Sequence, residues 1–235
     1  MLVSYLHNFI FIKTHKTAGT TAEVAFAKFC GPDDVVTPLG KTDELERSSG
    51  KPICRNFETT PELEKMYLDA LVADGPEYPA RRRKDMKFYA HMRAEEIKAA
   101  LDPCFWKNAF KFTTERHPYE KVVSRAYFKL GAAGEVNLIP EMLDNIVMQE
   151  KYSDFGHYAI GKKVVVDAIA RVENLEADLR RIAVKIGVNL PDQLPRMKSI
   201  YRKDPRPARE ILSQEQKDHI YRVCKREFRL LGYEP

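Results

Sequence analysis

Two lysines, a glycine and a run of threonines crowd the stretch Phe9 to Thr21, FIFIKTHKTAGTT, in the order expected of a phosphate-binding turn. The four apolar residues Phe9 to Ile12 predict a strand covered on both faces. Gly19 permits a tight backbone, and Thr20 or Thr21 is placed to cap a following helix. Lys13, Lys16, Thr17, Ala18, Gly19, Thr20 and Thr21 together offer the N–H donors and positive charge that a phosphate takes at a helix N-terminus. An ATP-type Walker loop reads GxxxxGK[ST], with its lysine after the second glycine. Here Lys16 precedes Gly19, so that order is absent.

A second basic stretch, FKFTTERHPYEKVVSRAYF from Phe110, predicts a strand with Phe110 and Phe112 on one face, then Arg116, Pro118 and a helix. Arg116 and Ser124 stand eight residues apart. A planar guanidinium holds two oxygens of a dianionic phosphate while a hydroxyl donates to another. The plain alternative pairs Arg116 with Glu115 or Glu120 on the surface and leaves Ser124 solvated.

Together the two stretches resemble the sulfotransferases that use 3′-phosphoadenylyl sulfate (PAPS). HKTAGTT resembles their 5′-phosphosulfate loop, written PKTxxT or PKTGGTS, with His15 where that pattern has Pro. Arg116, Pro118 and Ser124 fall in register with the family's 3′-phosphate motif RxPxxRxxSxY. Lys121 replaces the second Arg, and Tyr127 lies one position beyond the usual Tyr. Further along, IARVENLEADL (Ile169 to Leu179) is similar to the family's strand and ENLExD helix, with Asn174 as N-cap and Leu175, Leu179, Ile182 and Ile186 on one face. The tail from Arg196 resembles the family's nucleotide-covering loop and closing helix. It brings in Ser199 and Lys203 as further nucleotide contacts, although several registers fit residues 196–207. In that tail, Ser213 with Gln216 reads as a capping box, Ile220, Cys224, Phe228 and Leu231 as a buried stripe, and Gly232 as the stop. The pattern is closest to the branch holding carbohydrate sulfotransferases and bacterial members, and it covers most of the chain.

The resemblance implies a three-layer α/β fold of the P-loop NTPase type, its mostly parallel sheet built from strands near 9–13, 86–90, 110–115 and 167–171. It implies in-line transfer of a sulfuryl group from PAPS to an acceptor hydroxyl, with a carbohydrate as one acceptor class, adenosine 3′,5′-bisphosphate as product and no metal. Residues 13 and 16–21 would hold the 5′-phosphosulfate, and Arg116 and Ser124 the 3′-phosphate. Lys16 is the natural electrophile for charge on the departing oxygen. His91, Glu95 and Glu96 in FYAHMRAEEIKAAL are the candidates for the base that takes the acceptor proton. His91 is preferred, because an imidazole titrates near working pH and strand ends collect catalytic groups in open α/β sheets. His15 is a lesser candidate.

Composition narrows the remaining classes. At 235 residues a single α/β domain is expected over 1–235, with 31–84 as a variable, acceptor-specific insertion around a helix at 61–74. The run of ~18 apolar residues that a membrane helix needs is absent, and the first residues lack a basic n-region and a small-residue cleavage site, so a soluble, cytoplasmic protein is expected. Cys30, Cys54, Cys104 and Cys224 are scattered without CxxC spacing, which argues for reduced thiols and against a zinc site. A net charge of +5 is spread along the chain, and beyond Arg81–Lys84 nothing favours a nucleic-acid partner. Two other classes share the scaffold. A kinase-like phosphotransferase is disfavoured by the missing GK[ST] and the lack of an evident carboxylate pair for Mg²⁺. A nucleotide- or polyanion-binding protein without turnover is separated from the enzyme by an activity assay. Neither the acceptor nor the oligomeric state is written in these motifs.

Overall fold

A computed structural model of the chain describes residues 1–47, 53–73, 85–131, 136–194, 202 and 204–235. The order of its strands is Leu2–Ser4 (β1), Phe9–Ile12 (β2), Val35–Val36 (β3), Phe110–Glu115 (β4), Ala159–Ile160 (β5), Lys163–Val164 (β6) and Ala168–Arg171 (β7). β5 and β6 form a separate hairpin, and the other five make one sheet in the order β3-β1-β2-β4-β7. β4 runs parallel to β2 with Ile12 opposite Thr113, and β7 runs parallel to β4 with Arg171 opposite Glu115. β1 is antiparallel to both β2 and β3, so it alone is reversed. The protein is thus α/β with a mixed sheet whose core is parallel.

Twelve α-helical segments surround the sheet among the described residues: Gly19–Ala27 (α1), Lys41–Arg47 (α2), Pro61–Val72 (α3), Ala94–Ala100 (α4), Pro103–Asn108 (α5), Pro118–Leu130 (α6), Ile139–Gln149 (α7), Phe155–Tyr158 (α8), Leu175–Ile186 (α9), Ala208–Ile211 (α10), Gln214–Val223 (α11) and Lys225–Leu231 (α12). The alternation of a strand sends successive side chains of β2 to opposite faces. Phe9 and Phe11 pack with Phe26 of α1 and Leu179 and Ile182 of α9. Ile10 and Ile12 pack on the other face with Tyr67 and Leu71 of α3, Ile97 of α4 and Trp106 of α5. Burying each such side chain contributes ~1.5–3 kcal/mol, which is why β2 tolerates no polar residue along its length. A third cluster joins Val122, Val123 and Ala126 of α6 to Leu143 and Ile146 of α7 and to Ile220 and Phe228 at the C-terminal end. There the expected capping box of Ser213 and Gln216 is formed, and Gly232 closes α12 at φ 65°.

One expected strand is not in the sheet. Residues 86–90 form bends and turns, and Phe88 donates its backbone N–H to Phe57 O and buries its ring beneath Ile10 and Ile12. Both edges of β2 are taken, one by β4 and the other by β1, so no ladder is left for this segment. His91 accordingly lies in a turn before α4 rather than at a strand end.

The topology also marks a crevice. From β2 the chain passes through α1 to β3 on one side and later returns to β4 on the other, so the strand order switches direction between β2 and β4. Open α/β sheets bind ligands outside the carboxyl ends of the strands at such a switch. The segments leaving those ends are Lys13–Gly19 and Arg116–Pro118. No described helix is long and apolar enough to cross a membrane.

Candidate functional site

The turn after β2 is held in a conformation that exposes backbone donors. Lys16 and Ala18 both adopt left-handed backbone, at φ 59° and 57°. Ala18 is the N-cap of α1 and supplies no side-chain hydrogen bond, so the first-turn amides of that helix are left without a side-chain cap. Neither Thr20 nor Thr21 caps the helix as expected, because α1 begins one residue earlier, at Gly19. Gly19 is required for a different reason: a Cβ there would lie 2.9 Å from Lys13 Cγ and 3.4 Å from Thr14 O. Uncapped amides after left-handed residues form a concave, positively polarised nest suited to an oxyanion.

The underside of this turn is a buried polar lattice. Lys13 points inward, its Nζ 2.5 Å from Glu23 Oε2 in α1, and Glu23 also accepts from the Met1 amino group at 2.6 Å and from Thr37 Oγ1 at 3.1 Å. Burial alone would raise the Glu23 carboxyl, but Lys13, the amino group and Arg47 outweigh it and hold the carboxyl down at about 2. Lys13 is therefore an internal cation and does not line the outer face of the loop. Thr17 is likewise turned inward and fully buried: its hydroxyl lies 2.7 Å from that of Thr14 and 2.8 Å from that of Thr114, while Thr14 Oγ1 donates to Thr114 O. These bonds tie the loop to β4. Lys16, in contrast, reaches out of the loop, its Nζ 3.7 Å from the ring centre of Phe128 in α6. Ser124, half-buried, is one helical turn before Phe128, so it shares a face of α6 with the ring that Lys16 covers.

Arg116 follows β4 and is already engaged. Its Nη2 is 3.2 Å from Glu120 Oε2, which also receives Arg202 Nη1 at 2.5 Å, while Ala208 N donates to Glu120 Oε1 at 2.7 Å. Burial lowers the Arg116 pKa, and its Nε is buried with no hydrogen-bond partner among the described residues. Two guanidiniums thus share one carboxylate; of the plain alternative, the Arg116–Glu120 pair is formed, but half-buried rather than on the surface, and Ser124 is half-buried too. Lys121, which stands at the second Arg position, is buried 2.7 Å from Glu115 and 3.2 Å from Asp154. Burial would depress this ammonium, but the two carboxylates raise it above its ordinary value. Asp154 is held below the usual carboxylate range, Lys121 and His15 outweighing burial. Burial, opposed by Lys121 and assisted by Asp154, pushes Glu115 up to about 7. Ser199 and Lys203 lie outside the described residues.

Three histidines gather beside the loop. The His15 and His91 rings stack in parallel with centroids 3.9 Å apart, and His157 meets His15 edge-on at 5.1 Å. His91 sits at φ 62°, and burial, then the neighbouring His15, pushes its pKa down to about 2. Its pKa is thus shifted away from the working range expected of it, and its buried Nδ1 has no hydrogen-bond partner among the described residues. His15 is fixed by Asp154 through both its backbone N–H, at 3.0 Å, and its Nδ1, at 2.7 Å. Glu96 caps α4 through Arg93 N and accepts from Tyr89 Oη, and Glu95 is exposed. Asp154, His157 and Arg202 carry no motif that marks them in the sequence, whereas Glu120 stands there already as a candidate partner of Arg116. The Asp154-x-x-His157 spacing is a weak local signal, and nothing near it in sequence points to His15.

In comparisons with known proteins, no family model and no curated protein matches this chain.

Proposed function

We propose that the chain is a sulfotransferase on a P-loop-like frame, moving a sulfuryl group from PAPS to an acceptor hydroxyl, with carbohydrate hydroxyls as the acceptor class to test first. The observation that carries this reading is the uncapped start of α1, preceded by left-handed Lys16 and Ala18, at the carboxyl end of the strand beside the topological switch. Such a start takes the sulfate-bearing 5′-phosphate on the amides of Gly19, Thr20 and Thr21. Lys16, carried outward, supports charge growing on the bridging oxygen as the S–O bond breaks. Arg116 and Ser124, after the neighbouring strand, take the 3′-phosphate, and that phosphate must compete with Glu120 for Arg116.

His91 remains the base in this reading, with Nε2 as the accepting atom because Nδ1 is buried among the described residues. A buried Nδ1 with no partner among the described residues disfavours the doubly protonated ring, which agrees with its weak basicity. A bound phosphosulfate brings negative charge alongside and raises that basicity when the reaction needs it.

The test is calorimetry with adenosine 3′,5′-bisphosphate and ADP on the wild type and on Arg116→Ala. The bisphosphate is expected to bind at least tenfold more tightly than ADP, and the substitution to erase most of that margin, since one charge-assisted bond is worth ~1.5–3 kcal/mol. Equal affinities in the wild type would end the 3′-phosphate assignment. Sulfate transfer from PAPS to a panel of hydroxyl acceptors then separates an enzyme from a silent binder.

A further inference from the structure

His15 and His157 come from distant parts of the chain, yet both aim Nδ1 at the same oxygen, Asp154 Oδ1, at 2.7 and 3.1 Å. The three atoms lie within 4.8 Å of one another. Asp154 is held from behind. Its other oxygen, Oδ2, receives Lys121 Nζ at 3.2 Å and His15 N at 3.0 Å, so Oδ1 is kept facing the two imidazoles. Such backing bonds orient the ligands of metal sites. Lys121 is itself anchored by Glu115 at 2.7 Å, which fixes the ammonium that holds Asp154 in place.

We propose that His15, Asp154 and His157 bind a divalent transition-metal ion of the zinc type. Two imidazoles and one carboxylate are a ligand set such ions favour over Mg²⁺ or Ca²⁺, which take oxygen. An ion ~2.0–2.2 Å from each atom needs them roughly 3.3 Å apart, so both imidazoles must draw back slightly from Asp154 and settle around the ion within the 4.8 Å that encloses the three atoms. Three protein ligands leave a fourth position open, as in zinc sites that bind a further molecule. His15 is part of the loop that would hold the phosphosulfate, so an ion there adds positive charge beside Lys16. The site stands on its own geometry and does not depend on the sulfotransferase reading.

The test titrates the full-length protein, freed of metal and without nucleotide, with Co²⁺ followed by absorption and Zn²⁺ followed by calorimetry. One equivalent of Co²⁺ is expected to give visible bands of a low-symmetry nitrogen and oxygen site, with no thiolate charge-transfer band, and to be displaced by Zn²⁺. His157→Ala and, separately, His15→Asn should each weaken Zn²⁺ binding at least tenfold, with circular dichroism reporting that both fold. His219→Ala, which removes a histidine paired with Glu150 elsewhere, should leave the titration unchanged. Thiolate bands, less than half an equivalent bound, or affinities within twofold of wild type in both site variants would each overturn the proposal. Loss of nucleotide binding in Arg116→Ala tests the other reading and leaves this one untouched.

Discussion

Replacing Lys13 by Met separates a lysine that holds the loop from one that holds a ligand. The Lys13 side chain runs beneath Gly19, and its ammonium lies 2.5 Å from Glu23, whose side chain is fully buried. Methionine keeps an unbranched stem of similar reach and removes only the charge. Breaking a buried pair on one side costs about 3–5 kcal/mol. The Met1 amino group and Thr37 still reach Glu23, so the lower end, about 3 kcal/mol, is expected. The linkage of the Glu23 carboxyl gives a similar figure: held at about 2 against an ordinary 4.5, it favours the folded state by about 3 kcal/mol above the higher value. Because the folded-state value is the lower one, that stabilisation is complete above pH 4.5 and is lost as the pH falls towards 2. For a chain of this size the Tm at neutral pH should drop by about 6–12 °C, measured by calorimetric melting. The acid limb of the stability curve should flatten, and Lys13→Met with Glu23→Gln should recover much of the loss. Affinity for adenosine 3′,5′-bisphosphate, measured well below the melting range, should stay within about threefold of wild type, since Lys13 does not face the crevice. An unchanged Tm together with a tenfold weaker bisphosphate affinity would refute the reasoning and return Lys13 to the binding face.

Glu120→Gln removes the charge that holds Arg116 and Arg202 while keeping an oxygen for Ala208 N. Bisphosphate affinity should rise about fivefold or more by calorimetry, since each freed guanidinium can form a charge-assisted bond; no change would mean that Arg116 does not reach the ligand. The four cysteines offer a check on the packing. Cys104 is exposed, Cys54 and Cys224 are buried, and Cys30 is half-buried with its thiol pushed up to about 12 by burial and Asp34. A disulfide reagent should therefore label one thiol per native chain quickly and four in denaturant. Fast labelling of two would contradict the burial of Cys30.

Local signals were legible in the sequence, and competitive ones were not. The FIFI and FKFTTE runs, the helix after Asn174 and the capping box at Ser213 are each specified by a handful of adjacent residues, and each forms where expected. Residues 86–90 and 2–4 are both short apolar segments near the same sheet. Which of them pairs with β2 depends on which reaches its free edge, and β1, only four residues upstream of β2, has the shorter loop to close. The two lysines of the loop carried a readable distinction. Lys13 continues the alternation of Phe9 and Phe11 towards α1, where Glu23 waits, whereas Lys16 lies past the strand in a left-handed turn. The fates of Arg116 and Lys121 hinge on carboxylates at Glu120 and Asp154, and the second of these arrives from a segment with no local mark of its role. The histidine cluster was hidden for the same reason.

Three of the six non-glycine residues with positive φ among the described residues, Lys16, Ala18 and His91, belong to this one site. Each such conformation costs of order 1–3 kcal/mol, so the surrounding structure must over-determine it. The fasteners can be named. Lys13 and Glu23 anchor the start of the loop to α1, the hydroxyls of Thr14 and Thr17 anchor its middle to Thr114, and Asp154 grips His15 at two atoms. None of these bonds uses the first-turn amides of α1, and none uses the ammonium of Lys16. The internal polar groups therefore fix the loop's shape from beneath. Under the proposed function, a loop held this way would meet its anion without first being ordered, which removes an entropic cost that flexible phosphate loops carry. Lys13 should therefore matter to stability, whereas under the proposed sulfuryl transfer Lys16, further along the turn, should matter to turnover.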